Sequence, residues 1–473
     1  MIQEAAVAVA LTISGSALLT VTGRDVTPAA RCWLSVPIGA AGYLLMALVS
    51  LLVLETLDPG AVLIVSLGVS VLLAVVQMIR RGIRREELAW MLAGAGLALI
   101  TVLVARYFHL TRLTPDSLRY LLASNDLVLP GGLAEMNRTD LMTRQIGLPA
   151  LHSLSDLAGR RYLASLGPLF GAFGFALFVW LAVEMTREGT NRRRRMLLVG
   201  AAILFLASSN RLVYDSFYIN THIQMAAYVL IAVAGAWLAV SGRSRWSIPA
   251  GLALGVALLF RPEAPLVVAI VLVTIAASRA SLKVRLALSL PAAVMVGVWY
   301  GLGLWRYAAG GDEISVTAPV FGSMVAVGLA VVLCLVTVSS RVRLWGRWLD
   351  VVGLGGLALL LLFYIATDPV VFGTSVEATI RNLARDGFWL LTWVAAIGLL
   401  VVALVVETIP DGRLWTVPIL GFAILYWALP YIREGAWRVG AGDSGNRILA
   451  HYLAVTVLFL ILAAVHNARN EAR

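Results

Sequence analysis

Long apolar segments, each about 20 residues and separated by short polar loops, recur along the whole chain. A helix of that length crosses the hydrocarbon core of a bilayer, because it satisfies all its backbone hydrogen bonds internally. The composition agrees, since 60% of the 473 residues are hydrophobic and 13% are charged, whereas soluble proteins carry about a quarter charged residues. The sequence therefore predicts an all-α, polytopic transmembrane helical bundle.

The hydropathy pattern predicts about 13–15 spans. The segments 194–208 and 247–260 are short and would need tilt or local thinning of the bilayer. The candidates lie near residues 3–22, 33–55, 60–78, 88–106, 163–186, 194–208, 221–241, 247–260, 263–278, 284–304, 317–339, 348–367, 386–407, 414–432 and 449–466.

The basic residues are concentrated in alternate loops, such as the loop with Arg80, Arg81, Arg84 and Arg85 and the run from Arg192 to Arg195. Strict alternation of spans places nearly all of them on one side, which the positive-inside rule assigns to the cytoplasm. We therefore expect an extracytoplasmic N-terminus and a cytoplasmic C-terminus in a cell membrane. Topology explains the net charge of +11 without a nucleic-acid partner.

The largest loop on the predicted outer side, residues 107–162, is long enough to fold. Leucines alternate with charged residues after Pro115-Asp116, which predicts a short amphipathic helix on the membrane surface. A second amphipathic piece is expected from about Leu148 to Leu157. The fold class is therefore a bundle with one sizeable extracytoplasmic loop that carries short helices.

Charged residues at membrane depth are costly, so they usually have a partner or a task. The predicted outer side carries them in four segments, TPDSLRY, SSNRLVYDSFYINTH, LLFRPEAPL and GDSGNRILAH. The candidate site residues in these segments are Asp116, Arg211, Asp215, His222, Arg261, Glu263 and Arg447.

Several candidates have a purely structural interpretation as well. Asp116 would cap the surface helix, and Asp215 would pair with Arg211 four residues earlier if that stretch is helical. Arg261 has two interpretations. It has a structural role, as an ion pair with Glu263 or as a side chain that snorkels to the interface, or it faces an anionic ligand group, since a guanidinium suits phosphate well.

The remaining candidates also allow a structural role. His222 would be a hydrogen-bonded core histidine, and Arg447 an anchor at the membrane interface. Four tryptophans lie near predicted span ends, which is typical of an aromatic belt at the two membrane interfaces: Trp305, Trp389, Trp415 and Trp437.

Across residues 88–466, this layout resembles the GT-C class of membrane glycosyltransferases. Asp116 lies in the large outer loop, a further outer loop carries Asp215 and His222, a hairpin carries Arg261-Pro262-Glu263, and GDSGNRILAH lies near the C-terminus. Two features depart from the family. Three spans precede the one that leads into the acidic loop, and Asp116 stands without an adjacent acidic partner. The corresponding domains are 1–87, extra N-terminal transmembrane helices, and 88–473, a GT-C-like catalytic domain.

The resemblance implies an inverting glycosyltransferase. Its donor is a sugar linked to polyprenyl phosphate, and its acceptor is an extracytoplasmic glycan, lipid or protein. Asp116 is implied as the catalytic general base, and the implied substrate-binding residues are Arg261 and Arg447 on the phosphate, with Arg211, Asp215, His222 and Glu263. The resemblance leaves a divalent metal open, and no metal-ligand spacing in the sequence indicates one.

The alternative function is a transporter or flippase for a lipid-linked or polar substrate. That class favours charged or helix-breaking residues near the middle of paired spans, often with an internal repeat. Here the charges lie at the predicted outer ends of the spans and no repeat is visible.

Overall fold

The computed structural model describes all residues except 24, 83–84, 132–144, 159–161, 188–189, 302–317, 338–347, 407–408, 410, 433–434 and 472–473. The described residues form α-helices and short turns of other helix types, with no strands. The α-helices are α1 Ile2–Leu18, α2 Pro28–Leu54, α3 Pro59–Arg81, α4 Arg85–Tyr107, α5 Pro115–Leu127, α6 Gly147–Ser153, α7 Leu166–Met185, α8 Arg192–Ala207, α9 Asn210–Ser216, α10 His222–Val240, α11 Ser247–Ala257, α12 Ala264–Ala277, α13 Leu282–Met295, α14 Ala318–Val336, α15 Leu349–Thr367, α16 Pro369–Arg381, α17 Thr392–Val406, α18 Arg413–Ile432, α19 Ser444–Ile448 and α20 Ala450–Glu471.

Within the described residues, ten helices are long and apolar enough to cross a membrane. The number is eleven if α8 and α9, which are bent by 67° at a short break, form one span. Three shorter apolar helices lie at Ala264–Ala277, Met324–Val336 and Thr392–Val405. The predicted all-α polytopic bundle is confirmed, and the chain is a multi-pass membrane protein.

Helix α10 lies at the centre of the bundle. Its span is 89% buried, and it packs against α7, α11, α18 and α20. Helix α15 is the opposite case, because its span is equally apolar but only 6% buried. A helix that is apolar on all faces needs either protein or lipid around it, so the exposed surface of α15 faces the lipid.

The first two helices approach each other at backbone distance. A Cβ atom on Gly15 would clash with the carbonyl oxygen of Ser35, and one on Gly39 would clash with that of Leu11. Small residues permit this approach between membrane helices, whose packing cannot depend on the exclusion of water. Helices α3 and α4 flank the pair, and both pack against α1 and α2 rather than against each other.

The loops that the sequence predicts on the outer side lie together at one end of the bundle. This end contains helix α5 and is called the α5 end. The backbone N–H of Arg112 donates to Phe217 O at 2.8 Å, and that of Gly147 donates to Leu259 O at 2.6 Å. The N-terminus is at the same end, where Glu4 Oε1 accepts hydrogen bonds from the backbone and hydroxyl of Ser165.

The loops that the sequence predicts on the cytoplasmic side lie at the other end of the bundle. Arg243 forms an ion pair with Glu184 at 2.8 Å, and the backbone N–H of Arg245 donates to Asp25 Oδ2 at 3.0 Å. Helix α20 starts at the α5 end and runs away from it, so the two termini lie at opposite ends of the bundle. Both observations agree with the predicted alternation of spans.

The two helices predicted in the 107–162 loop are present in altered form. Helix α5 has Thr114 as its N-cap, so the capping role predicted for Asp116 is wrong. Helix α6 ends at Ser153, before the expected boundary at Leu157, and all its residues are buried. It packs against α5 and α2 rather than on a membrane surface. Residues 132–144 and 159–161 of this loop lie outside the described residues.

The predicted aromatic belt is wrong for Trp389, Trp415 and Trp437, and Trp305 lies outside the described residues. Trp389 and Trp415 are fully buried, and Trp437 is 4% exposed. The indole N–H of Trp389 donates to Asn446 Oδ1, and Trp437 packs beside Tyr426. These residues lie near the ends of apolar segments as expected, but neighbouring helices cover them.

Candidate functional site

The first turn of α5 is held against the segment 217–221 at the α5 end. The backbone N–H of Thr114 donates to Ser117 Oγ at 3.1 Å, and the Ser117 hydroxyl donates to Ile219 O at 3.0 Å. Pro115 occupies the first helical position, where a missing N–H costs nothing. Asp116 is therefore fixed in the first turn, where the helix dipole stabilises its charge.

A carboxylate, a guanidinium and a phenol lie in contact at this point. Arg447 donates from Nη2 to Asp116 Oδ2 at 3.0 Å and from Nη1 to the Tyr218 hydroxyl at 3.2 Å. The Tyr218 hydroxyl, which accepts from Arg447, also shares a hydrogen bond with the Thr114 hydroxyl. The Asp116 side chain is 43% exposed, whereas that of Arg447 is 7% exposed. The Asp116 carboxylate therefore contacts the buried guanidinium of Arg447 on one side and is accessible to solvent on the other.

Burial raises the pKa of Tyr218 above its ordinary value, although hydrogen bonding to Thr114 and the charge of Arg447 act in the opposite direction. The phenol is therefore neutral throughout the physiological pH range and keeps a proton to donate.

The segment GDSGNRILAH positions Arg447. Asp443 Oδ2 caps α19 by accepting from the N–H groups of Gly445 and Asn446, at 2.8 and 3.4 Å. The Asn446 side chain then donates to Gly387 O and accepts from Trp389. These bonds fix both sides of the short helix, so the guanidinium of Arg447 has a defined direction.

Arg211 and Asp215 form a second ion pair nearby, on α9. Arg211 Nε and Nη2 donate to the two carboxylate oxygens of Asp215, at 3.1 and 2.9 Å, and both side chains are fully buried. Arg211 Nη1 also donates to Ala441 O at 2.6 Å. The predicted pairing four residues apart on a helix is confirmed. The pair joins α9 to the segment that precedes α19.

A third group surrounds the turn between α11 and α12. Arg261 Nε donates to Glu263 Oε1 at 2.8 Å, as one of the two interpretations predicted. Its Nη1 lies 3.5 Å from His222 Nε2, and His222 Nδ1 lies 3.0 Å from His451 Nε2. Both histidines are buried and stacked. The prediction of a hydrogen-bonded core histidine at position 222 is confirmed.

One donor in this third group lacks an acceptor within the described part of the chain. Arg261 Nη2 is buried and has no hydrogen-bond partner there, whereas the side chain of Asn220 interacts with the Asp215 carboxylate. Buried polar groups are normally satisfied, so an orphaned donor needs an explanation. A bound acceptor such as a phosphate or a sugar hydroxyl would provide one.

The three groups are neighbours. Tyr218 contacts Arg447 and lies three residues after Asp215, and His222, four residues further on, lies 3.5 Å from Arg261. The seven predicted residues, which lie in four distant segments, are therefore brought together at the α5 end. The structure adds Tyr218 and Thr114, which sequence reasoning missed. A threonine before Pro-Asp is a typical helix start, and that signal could have located Thr114.

An apolar groove of 410 Å³ lies beside this site. It is formed by α4, α7, α8, α9, α10 and α20, and Ser216 and Phe217 line its edge next to Asp215. Several lining side chains, including Ile100, Val104 and Phe175, are also exposed on the outside of the bundle. The groove therefore opens sideways, toward the lipid.

No protein-family model, curated protein or solved structure matches this chain. Nor do the described residues contain a group of three or more histidine, cysteine, aspartate or glutamate side chains that could hold a metal ion.

Proposed function

We propose that this protein is a membrane glycosyltransferase that moves a sugar from a polyprenyl-phosphate-linked donor to an extracytoplasmic acceptor. The observation that carries the proposal is the arrangement of the α5 end. The half-exposed carboxylate of Asp116 pairs with Arg447, and Arg211 and Arg261 lie at the same end of the bundle. A lipid-facing apolar groove is lined by Ser216 and Ile223, which adjoin Asp215 and His222 in sequence. A substrate with a long apolar chain and an anionic head fits this combination.

In the proposed complex, the polyprenyl chain occupies the apolar groove and the phosphate lies near Arg447 and Arg261. Arg447 is already fixed by Asp443 and Tyr218, and Arg261 has an Nη2 donor without an acceptor within the described residues. Donors that are preorganised in a site with little water stabilise a developing negative charge more strongly than donors in solution do. These two guanidinium groups would therefore favour departure of the phosphate.

The reaction is a displacement at the anomeric carbon. The acceptor hydroxyl attacks that carbon, and the bond from the carbon to the phosphate oxygen breaks. The phosphate leaves with the bonding electron pair, while Asp116 takes the proton of the acceptor hydroxyl. Attack from the face opposite the leaving group inverts the configuration. A positioned general base contributes a factor of about 10²–10⁴ to such a rate.

Asp116→Asn tests the role of this base. Membranes that contain the full-length protein are supplied with a panel of radiolabelled undecaprenyl-phosphate monosaccharides, and transfer to endogenous acceptors is measured. We expect Asp116→Asn to lower transfer at least about 100-fold, because the amide cannot accept the proton. Asp126→Asn is the matched control, since Asp126 lies on the same helix and is also partly buried. Equal transfer by both variants would remove Asp116 from the mechanism.

The proposal also requires that the α5 end face the outside. Both native cysteines, Cys32 and Cys334, are buried, so single introduced cysteines can report sidedness. We expect Leu129→Cys to react with an impermeant maleimide in intact cells, and Ser244→Cys to react only after permeabilisation. Both side chains are exposed, one at each end of the bundle. The reverse pattern would contradict an extracytoplasmic active site.

A flippase for a lipid-linked substrate is the second candidate. The break of 67° between α8 and α9 favours it, because broken helices line the binding sites of many transporters. Proteoliposomes that contain a labelled undecaprenyl-phosphate sugar separate the two functions. A flippase moves the intact lipid across the bilayer, whereas a transferase with an acceptor present releases undecaprenyl phosphate.

A further inference from the structure

A second site lies in the first four helices, at the end of the bundle opposite α5. Because α3 and α4 pack against α1 and α2 but not against each other, a cleft remains between them. The cleft has a polar cavity of 720 Å³ and an apolar cavity of 280 Å³. The two cavities adjoin, since five residues line both of them: Thr20, Pro28, Arg31, Met78 and Glu87.

The polar cavity contains charges of both signs. Arg31 pairs with Glu87 at 3.1 Å, and Asp25 accepts from the backbone of Arg245, whose own side chain is exposed. The described lining therefore includes two carboxylates and two guanidinium groups, together with the amide of Gln77. A head group with a single negative charge would meet Asp25 and Glu87 unfavourably. A zwitterionic head group finds partners for both its charges.

The apolar cavity continues from the polar one between α3 and α4. Val71, Ala74 and Val75 line one side and Met91 the other, and Val71 and Val75 are also exposed to lipid. Ser16 lies in this wall, 8% exposed, and its hydroxyl has no hydrogen-bond partner within the described residues. A buried hydroxyl without a partner is unfavourable, and an ester carbonyl beside it would satisfy it.

We propose that this cleft binds one molecule of an aminophospholipid of the phosphatidylethanolamine class. The ammonium group lies between Asp25 and Glu87, and the phosphate lies at the exposed Arg245 side chain. One acyl chain lies between α3 and α4, with its ester carbonyl at the Ser16 hydroxyl. This site is independent of the proposed sugar transfer and gives the extra N-terminal helices a lipid-binding role.

Native mass spectrometry of the full-length protein tests the site. The protein is delipidated in detergent and titrated with phosphatidylethanolamine or with phosphatidylglycerol. We expect one tightly retained phosphatidylethanolamine, which binds about tenfold more tightly than phosphatidylglycerol because its ammonium meets two carboxylates. Equal retention of the two lipids, or retention of neither, would overturn the proposal.

Two variants locate the bound lipid. Ala74→Phe fills the apolar cavity and should abolish the retained lipid, whereas Leu72→Phe, at a side chain on the same helix that is 64% exposed, should not. If Ala74→Phe is not monodisperse by size-exclusion chromatography, Val75→Trp at the mouth of the cavity replaces it. Equal retention by the plugging variant and Leu72→Phe would place the lipid elsewhere.

Asp25→Asn tests the head group. An asparagine oxygen can still accept from the backbone of Arg245, so the local fold is kept, but one negative charge is lost. The preference for phosphatidylethanolamine over phosphatidylglycerol should fall about threefold, because one of the two carboxylates that meet the ammonium is lost. An unchanged preference would show that Asp25 does not contact the ammonium.

Discussion

Two of the arginine–aspartate pairs at the α5 end, Arg211–Asp215 and Arg447–Asp116, differ chiefly in their access to solvent. Arg211 and Asp215 are both fully buried, and Arg211 donates two hydrogen bonds to Asp215 within one short helix. Arg447 and Asp116 share one hydrogen bond across 331 residues of sequence, and the Asp116 side chain is 43% exposed.

The difference indicates separate roles for chemically identical groups. A sealed bidentate pair has few remaining hydrogen-bonding positions for a ligand, and removal of one member leaves an uncompensated charge. An open pair holds its carboxylate in place while part of that carboxylate stays accessible to solvent. We therefore expect the buried pair Arg211–Asp215, the sealed pair, to determine folding. The half-exposed pair Arg447–Asp116, the open pair, should determine activity.

The largest effect is expected at the sealed pair. Asp215→Asn leaves the buried Arg211 without its counter-ion, which should cost about 3–5 kcal/mol of stability. Thermal unfolding and the yield of monodisperse protein measure this loss. Asp386→Asn is the control, because it breaks a solvent-exposed pair with Arg381 at the same end and should change stability by less than about 1 kcal/mol.

A double replacement sharpens this result. Arg211→Met with Asp215→Leu removes both charges and should recover much of the stability, since apolar pairs of similar volume often replace buried ion pairs without loss. If the double variant folds but transfers no sugar, the sealed pair also contacts substrate, and the proposed division between the pairs is wrong.

At the open pair, we expect a smaller loss of stability than at the sealed pair but a large loss of sugar transfer. Arg447→Lys keeps the charge but loses the planar fork that donates to Asp116 and Tyr218 together. We expect transfer to fall about 100-fold while the unfolding free energy changes by about 1 kcal/mol. Initial rates and thermal unfolding of the same preparation measure both. A stability loss as large as that of Asp215→Asn would give the two pairs the same role.

The smallest effect is expected at Tyr218. Tyr218→Phe removes the hydroxyl that accepts from Arg447, so transfer should fall about tenfold, the value of one hydrogen bond to a charged group.

The pH dependence of stability gives a second measurement on the same variant. Burial raises the pKa of Tyr218, so the folded protein keeps this proton when an unfolded tyrosine would lose it, above pH about 10. The contribution of Tyr218 to stability is therefore complete below that pH and is lost as the pH rises further. The wild-type protein should lose more stability than Tyr218→Phe between pH 9 and pH 11. Parallel curves would show that Tyr218 titrates normally.

The sequence predicted the helices well, because apolar runs near 20 residues have few other structures available to them in a membrane. It also indicated which residues matter, since a charge such as Arg261 in an apolar hairpin needs a partner. It could not predict the partners. His222 meets His451 across 229 residues, and no local pattern encodes that contact. Trp389 was expected at an interface, but its indole N–H is instead bonded to Asn446 inside the bundle.

The sideways opening of the apolar groove beside Asp215 has a kinetic consequence. A ligand that uses this opening arrives by diffusion in two dimensions, within the plane of the bilayer. The quantity that sets its rate of supply is then its mole fraction among the surrounding lipids, rather than its concentration in water. Diluting the membranes with buffer should leave such a supply unchanged, whereas fusing them with empty lipid vesicles should reduce it.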